Sequence, residues 1–264
     1  MRLIVLGSGS SGNALYIESG DTRVLVDVGL SAKETARRMT GAGLDPARLS
    51  AIVVTHEHSD HIKGVRVMSK TAGVPVFISE ATRAESRFPG DGEGICWGEM
   101  ISSSQPFQIG SLDFHPFAIP HDGVDTFAFT VESERVKIGT VTDLGYITNL
   151  VAERLRGCHL VIIESNHDRD MLKVGPYPWP LKQRIASNTG HLSNDETARW
   201  LREDFDGGAA HIVLAHLSRQ CNHPELARLS AIQALESHGP LFYPDAERRV
   251  KVAPPDRPTE WFEL

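Results

Sequence analysis

The chain has 264 residues, 41% of them hydrophobic and 23% charged, with a formal charge of −7 at neutral pH. That apolar share fills a sizeable core, and the net acidity argues against a broad basic surface that grips nucleic acid along its length. No run approaches the roughly 18 consecutive apolar residues of a membrane span, the first strand is too short for a signal peptide, and Cys96, Cys158 and Cys221 are too scattered for a disulfide framework, so a reducing cytoplasm is expected.

The chain opens on the apolar run Ile4–Leu6, and Gly7, Gly9 and Gly12 then spell G-x-G-x-x-G. Asp27 follows at a distance (27 − 7 = 20) that also suits a dinucleotide fingerprint. That motif needs its glycines to open a helix, where backbone N–H groups meet the pyrophosphate. Here Leu15 and Ile17 alternate with Tyr16 and Glu18, Gly20-Asp21 turns, and Val24, Val26 and Val28 resume the alternation. The pattern is a β-hairpin, with no room for a crossover helix before Asp27. The glycines are expected to form a tight turn where something approaches the backbone closely.

A capping box, Ser31 to Glu34, then opens a helix that Gly41 and Gly43 stop. A buried strand at 51–55, a helix over 61–72 and a strand at 74–79 follow. Segment 86–105 carries no clear pattern and reads as a cleft loop or partner surface. Strand-like runs return at 112–120, 126–133 and 135–143. The second half alternates a helix (147–156), a strand (160–165), a second capping box (Ser193 to Glu196), a strand (211–216) and a helix begun by Pro224. The tail from Arg248, rich in proline and charge, reads as peripheral, and the peripheral extension is bounded at about 236–264 within a single domain spanning 1–264. Strands cluster in each half with helices between them. An α/β fold is therefore expected, a four-layer αββα sandwich of two mixed sheets.

Of the 12 histidines, three stand with one acid in Thr55-His56-Glu57-His58-Ser59-Asp60-His61, at the end of the strand 51–55. Alternate residues share a side at a strand's carboxyl edge, so His56 and His58 can converge on one ion. Asp60 and His61 stand where the chain turns into a helix and can aim at a second ion. Imidazole with carboxylate suits zinc, manganese or iron, whereas calcium prefers oxygen alone. Glu57 and Ser59 are expected to face away. Further ligands belong at other strand ends, and His121, Asp143 and His216 each close an apolar run.

The pattern H-x-H-x-D-H after a buried strand, with Asp27 upstream and His121, Asp143 and His216 downstream, resembles the metallo-β-lactamase superfamily. The fold this implies is the αββα sandwich. The resemblance implies one metal on His56, His58 and His121, a second on Asp60, His61 and His216, and Asp143 bridging the two. It also implies that Asp27 supports the cluster by hydrogen bonding to a ligand. An acid at 143 rather than cysteine, "GHLSNDETA" around His191 and "LAHLSR" around His216 are similar to the nuclease and phosphodiesterase branch. The opening "LGSGSSGNALYIESGDTRVLVDVGLS", "ESNHD" and "LSRQCNHPELA" are similar to the YycJ (WalJ) group of bacterial proteins. That likeness implies a 5′-to-3′ exonuclease on DNA, with nucleic-acid ends as partner and no membrane.

Two divalent cations, Zn²⁺ or Mn²⁺ with Fe admissible, are implied as cofactors that activate water for in-line attack on phosphorus. Asp60, Asp143 and His191 are the side chains expected to take part, His191 as general acid to the leaving oxygen and Glu164 orienting it. Ser218, Arg219 and Asn13 are weaker candidates for holding phosphate. Only 73 positions (216 − 143) separate Asp143 from His216, which leaves no room for the large inserted cap of the RNA-processing branch. A small phosphodiester, thioester or lactone as substrate, and a non-hydrolytic di-iron or regulatory metal protein, stand as alternatives.

Overall fold

Leu3 and Val5 point to one side of the first strand, Ile4 and Leu6 to the other, and all four are buried. The first pair packs between two sheets and the second beneath helices. Leu160 and Ile162 likewise face the inter-sheet core while Val161 and Ile163 face the opposite helical layer. Strands apolar on both faces must be covered on both, and four layers result. The computed structural model describes residues 1–103, 105–239 and 243–264. Ser104 of the weakly patterned segment and 240–242 of the tail lie outside the described residues.

The first sheet runs from the hairpin β1 (Arg2–Gly7), β2 (Ala14–Ser19) and β3 (Thr22–Val26) into the parallel strands β4 (Ala51–Val53), β5 (Pro75–Ile78) and β6 (Cys96–Met100). The second runs from the antiparallel β7 (Phe107–Ile109), β8 (Leu112–Ala118), β9 (Phe127–Ser133) and β10 (Val136–Val141) into the parallel β11 (Leu160–Glu164), β12 (His211–Ala215) and β13 (Val250–Val252). A final strand, β14 (Phe262–Glu263), pairs antiparallel with β1. Each sheet thus has seven strands, three antiparallel pairings followed by three parallel ones. This is the expected sandwich of two mixed sheets.

On the outer faces, α1 (Ala32–Gly41) and α3 (Val65–Ala72) cover the first sheet, and α5 (Asn149–Leu155), α8 (Asn194–Glu203) and α9 (Pro224–Glu236) cover the second. Between them in the chain come the short α2 (Ser59–Ile62), α4 (Glu80–Glu85), α6 (Arg169–Val174) and α7 (Trp179–Ile185), and α10 (Ala246–Arg249) follows. Both serines cap their helices: the Ser31 and Ser193 hydroxyls accept from the N–H groups of Glu34 and Glu196, whose carboxylates pair with arginines instead of closing the box. No helix among the described residues is long and apolar enough to cross a membrane.

Two expectations need correction. The helix read over 61–72 is two helices, α2 and α3, broken at Gly64, whose N–H donates to the Val28 carbonyl. The tail read as peripheral supplies an edge strand to each sheet. Phe262 and Ala253 are buried between the sheets, and the Arg38 guanidinium donates to the carbonyls of Leu6 and Pro255. Within segment 86–105, β6 forms the free edge of the first sheet.

Candidate metal centre

Strands β8, β10, β11 and β12 point the same way, and so do β3 and β4. Their carboxyl ends open on one edge of the sandwich, where an α/β sheet places its ligand sites. His56 and His58 follow β4, Asp27 follows β3, His121 follows β8, Asp143 follows β10, Glu164 ends β11 and His216 follows β12. Among the described residues, six non-glycine residues have positive φ, and Asp27 (61°), Asp143 (60°) and His216 (55°) are three of them. Such residues cost of order 1–3 kcal/mol each and persist where surrounding structure over-determines them. The turns swing the Asp143 and His216 side chains into the cleft and place Asp27 behind His61.

The seven side chains read as ligands converge. Ligating atoms of His56, His58 and His121 lie within 4.8 Å of one another, as do those of Asp60, His61 and His216, and of His56, His61 and Asp143. His121 Nε2 stands 3.2 Å from His58 Nδ1. His61 Nε2 stands 3.2 Å from Asp143 Oδ2, and His216 Nε2 3.5 Å from Asp60 Oδ2. Three buried atoms at the centre make no hydrogen bond of good geometry among the described residues: His56 Nε2, His216 Nε2 and Asp143 Oδ2. Orphaned buried polar atoms are rare and costly, and imidazole and carboxylate groups gathered this closely fit cations.

Which nitrogen each imidazole offers is decided behind it. Asp27 accepts from the Thr55 N–H and hydroxyl, both at 2.9 Å, and from His61 Nδ1–H at 2.7 Å. The Thr55 oxygen in turn accepts from His56 Nδ1–H at 2.9 Å. His121 Nδ1–H donates to the Gly190 carbonyl at 3.2 Å. Glu164, fully buried, accepts from His216 Nδ1–H at 2.7 Å and His191 Nδ1–H at 2.9 Å through one oxygen, and from the N–H groups of Leu144 and Leu192 through the other. Every one of these contacts frees an Nε2 to face the cleft, as ligand-supporting partners do. Glu164 lies close enough to Asp143, His191 and His216 to form a fourth such group, but its acceptors are already taken.

The charges follow. Burial works against ionisation of Glu164, yet His191 and His216 hold its carboxyl down to about 2. Against the same burial, the Asp143 charge, the nearby Asp60 carboxylate and the Glu164 acceptor push His216 up to about 10. Asp27 and Asp143 hold His61 well above the imidazole range, and Glu164 raises His191. Burial pushes His56 well down, with His61 adding to it. The ion-free cluster is thus a set of carboxylates neutralised by protons that a metal would displace.

The other candidates divide. Ser218 lines a 370 Å³ cleft over the cluster, together with Ser10, Tyr177, Arg184 and His191. Arg219 is exposed and its guanidinium leans on the Ser11 hydroxyl at 3.3 Å, away from the cleft lining. Asn13 is buried: its carbonyl accepts from the Gly9 N–H, and its amide lies against Asp60 and His61. It braces the glycine loop and the cluster rather than presenting a phosphate contact. That loop also supplies Ser8, whose hydroxyl accepts from the His216 N–H at 2.7 Å. Glu57 faces away, tethering the Val124 N–H.

Sequence reasoning passed over Thr55, the double role of Glu164, and Asp122. The Asp122 carboxylate lies 3.4 Å from His121 and 3.6 Å from His58 and pairs with Arg184. Asp122 directly follows a candidate ligand, and that adjacency was the available signal.

The profile of the beta-lactamase superfamily domain matches residues 22–217. Exodeoxyribonuclease YycJ of Bacillus anthracis is 36% identical over 244 residues, covering 90% of each chain. Exodeoxyribonuclease WalJ of Streptococcus pneumoniae is 33% identical over 234 residues, covering 88% of this chain and 87% of that one. Among solved structures, the metallo-beta-lactamase fold protein YhfI from Bacillus subtilis superposes with a TM-score of 0.74 at 18% identity, covering 98% of this chain and 99% of its own.

Proposed function

This chain belongs to the metallo-β-lactamase superfamily, and on that premise we propose that it is a dinuclear metal-dependent exonuclease that degrades DNA from a chain end in the 5′-to-3′ direction. The observation that carries the reading is the convergence of seven side chains on buried atoms left without partners. His56, His58 and His121 would hold one divalent cation, Asp60, His61 and His216 the other, with Asp143 between them. Zn²⁺ or Mn²⁺ suits this nitrogen and carboxylate set, and Fe is admissible. Bound there, the pair would act as Lewis acids toward the phosphoryl oxygens and bring the pKa of a water near neutrality.

The chain's own residues supply the rest. Asp143 and Asp60 present carboxylate oxygens to the cleft from one-fifth exposed or less. His191 lines the cleft, and its Nδ1–H is committed to Glu164. Its Nε2 is therefore the atom that holds the proton for the leaving oxygen, and the Glu164 carboxylate favours the protonated ring. The Ser218 hydroxyl, at the cleft wall with Tyr177 3.4 Å away, is positioned to meet a non-bridging oxygen. The three cysteines are free, as they would remain in the cytoplasm, where we place the protein.

A small cleft also suits a small phosphodiester, and one experiment separates the two. Metal-loaded protein is given end-labelled DNA and, separately, bis(p-nitrophenyl) phosphate. Loss of a 5′ label ahead of a 3′ label is expected, together with ester hydrolysis. Hydrolysis of the ester with no action on any nucleic acid would replace the nuclease reading by the small-substrate one.

A further inference from the structure

A second cavity, of about 590 Å³, lies beside the metal cleft, and His191 lines both. The partition between them is α7 with the loop before it. Tyr177, Leu181 and Arg184 face the metal cleft, whereas Trp179, Lys182 and Gln183 face the second cavity. Trp179 is 67% exposed, and Tyr146, on the same cavity, is 43% exposed. An exposed tryptophan forfeits a large apolar area to water, so it marks a surface awaiting a partner. The loop around it reads Pro176-Tyr177-Pro178-Trp179-Pro180. Alternate prolines fix φ on either side of it and limit the backbone freedom lost when something binds.

The rest of the lining says what would bind. Lys182 has no carboxylate partner among the described residues; its ammonium donates to the Lys173 carbonyl. Arg169 and Arg199, both about half-exposed, pair with Glu196. Gln183 and Asn188 bring amide groups, each with a donor and an acceptor. Flat aromatic rings, amides for a heteroaromatic edge and one cation for a backbone phosphate are the chemistry that receives an unpaired nucleobase. The volume suits a nucleoside rather than a duplex.

Building on the nuclease reading, we propose that this second cavity is a subsite for an unpaired base of the nucleic-acid end, stacked on Trp179 across His191 from the phosphodiester being cut. His191 then stands between the reacting phosphate and the nucleoside beside it, and a paired end must fray before it can be engaged.

The test is binding, with metal-loaded protein and a short single-stranded oligonucleotide whose terminal linkages are phosphorothioate to slow cleavage. Affinity is compared with the same strand made abasic at each of the two terminal positions in turn, for wild type and Trp179→Ala. At one position, removing the base should weaken wild-type binding by about tenfold. Trp179→Ala should lose the same factor on the intact strand and lose nothing more on the abasic one, because the two changes delete one contact. Trp179→Phe, which keeps a ring, should recover most of the affinity. Equal wild-type affinity for intact and abasic strands, or losses that multiply, would overturn the subsite, including in favour of a protein partner for Trp179. Base-dependent binding by a protein that never cuts a normal phosphodiester would instead overturn the nuclease reading and leave the subsite standing.

Discussion

At the residue scale, the site depends on carboxylates that never touch the substrate. Asp27 orients His61, and Glu164 orients His216 and His191 through a single oxygen. Replacing such a partner typically costs about 10–100-fold in metal affinity or activity. Asp27→Asn should therefore lower metal affinity within that range, read by titration against a chelator. Glu164→Gln should do more, because it loosens a ligand and the candidate acid together. His191→Ala should cut kcat by about 10²–10⁴-fold while both metal equivalents remain bound, which metal analysis beside a turnover assay reads directly. Loss of metal from that variant would make His191 a structural ligand instead. The convergence of the seven candidate ligands was legible in the sequence from their chemistry and strand-end positions, while their division between two cations rests on the family resemblance. Thr55 and the second role of Glu164, on His216, were harder to read. A threonine and an acid closing a buried strand look ordinary until the fold brings His56, His61, His191 and His216 against them.

At the scale of elements, the cluster holds its shape through backbone contacts with no space to spare. A Cβ on Gly29 would lie 1.5 Å from the Asp60 carbonyl oxygen, and neither partner is a flexible side-chain tip. The Gly29 N–H donates to the Asn13 carbonyl there, and the Asn13 N–H donates to that same Asp60 carbonyl. This is the close approach that the opening glycine-rich stretch serves, by packing a turn against the metal-binding turn. Gly29→Ala should cost about 3 kcal/mol or more, lowering Tm by roughly 6–12 °C and emptying the site; an unchanged Tm and metal content would contradict this packing. The same crowding explains why the helix read over 61–72 breaks. Gly64 gives its N–H to Val28, and a Cβ there would meet the Leu30 carbonyl at 2.4 Å. Helical periodicity on either side could not reveal a contact with the loop after β3, more than thirty residues earlier.

At the scale of the molecule, two sheets of matching pairing pattern meet so that their carboxyl edges form one cleft. The alternating apolar faces made that sandwich legible. The tail was misread because β13 and β14 are only three and two residues long and lie among prolines and charges. Their value is in what they cover, since Phe262 is 2% exposed and fills the inter-sheet core. Removing residues 250–264 should expose that core and yield insoluble or dye-binding protein rather than a trimmed active one, as solubility and thermal melts would report. Metal uptake should likewise involve the whole centre. His61 and His216 hold raised pKa values beside carboxylates, so binding must expel protons. Apparent affinity should rise with pH and fall as acid returns those protons, and loading should acidify an unbuffered solution. Loading without proton release would contradict the charge pattern described above.

The central claim is that the seven side chains hold two cations at one cleft. Anomalous diffraction from crystals grown with Mn²⁺ or Zn²⁺ tests it most directly. Two peaks are expected, one against His56, His58 and His121, the other against Asp60, His61 and His216, with Asp143 touching both. A single peak with its coordination closed by protein, or no peak among these residues, would contradict the account.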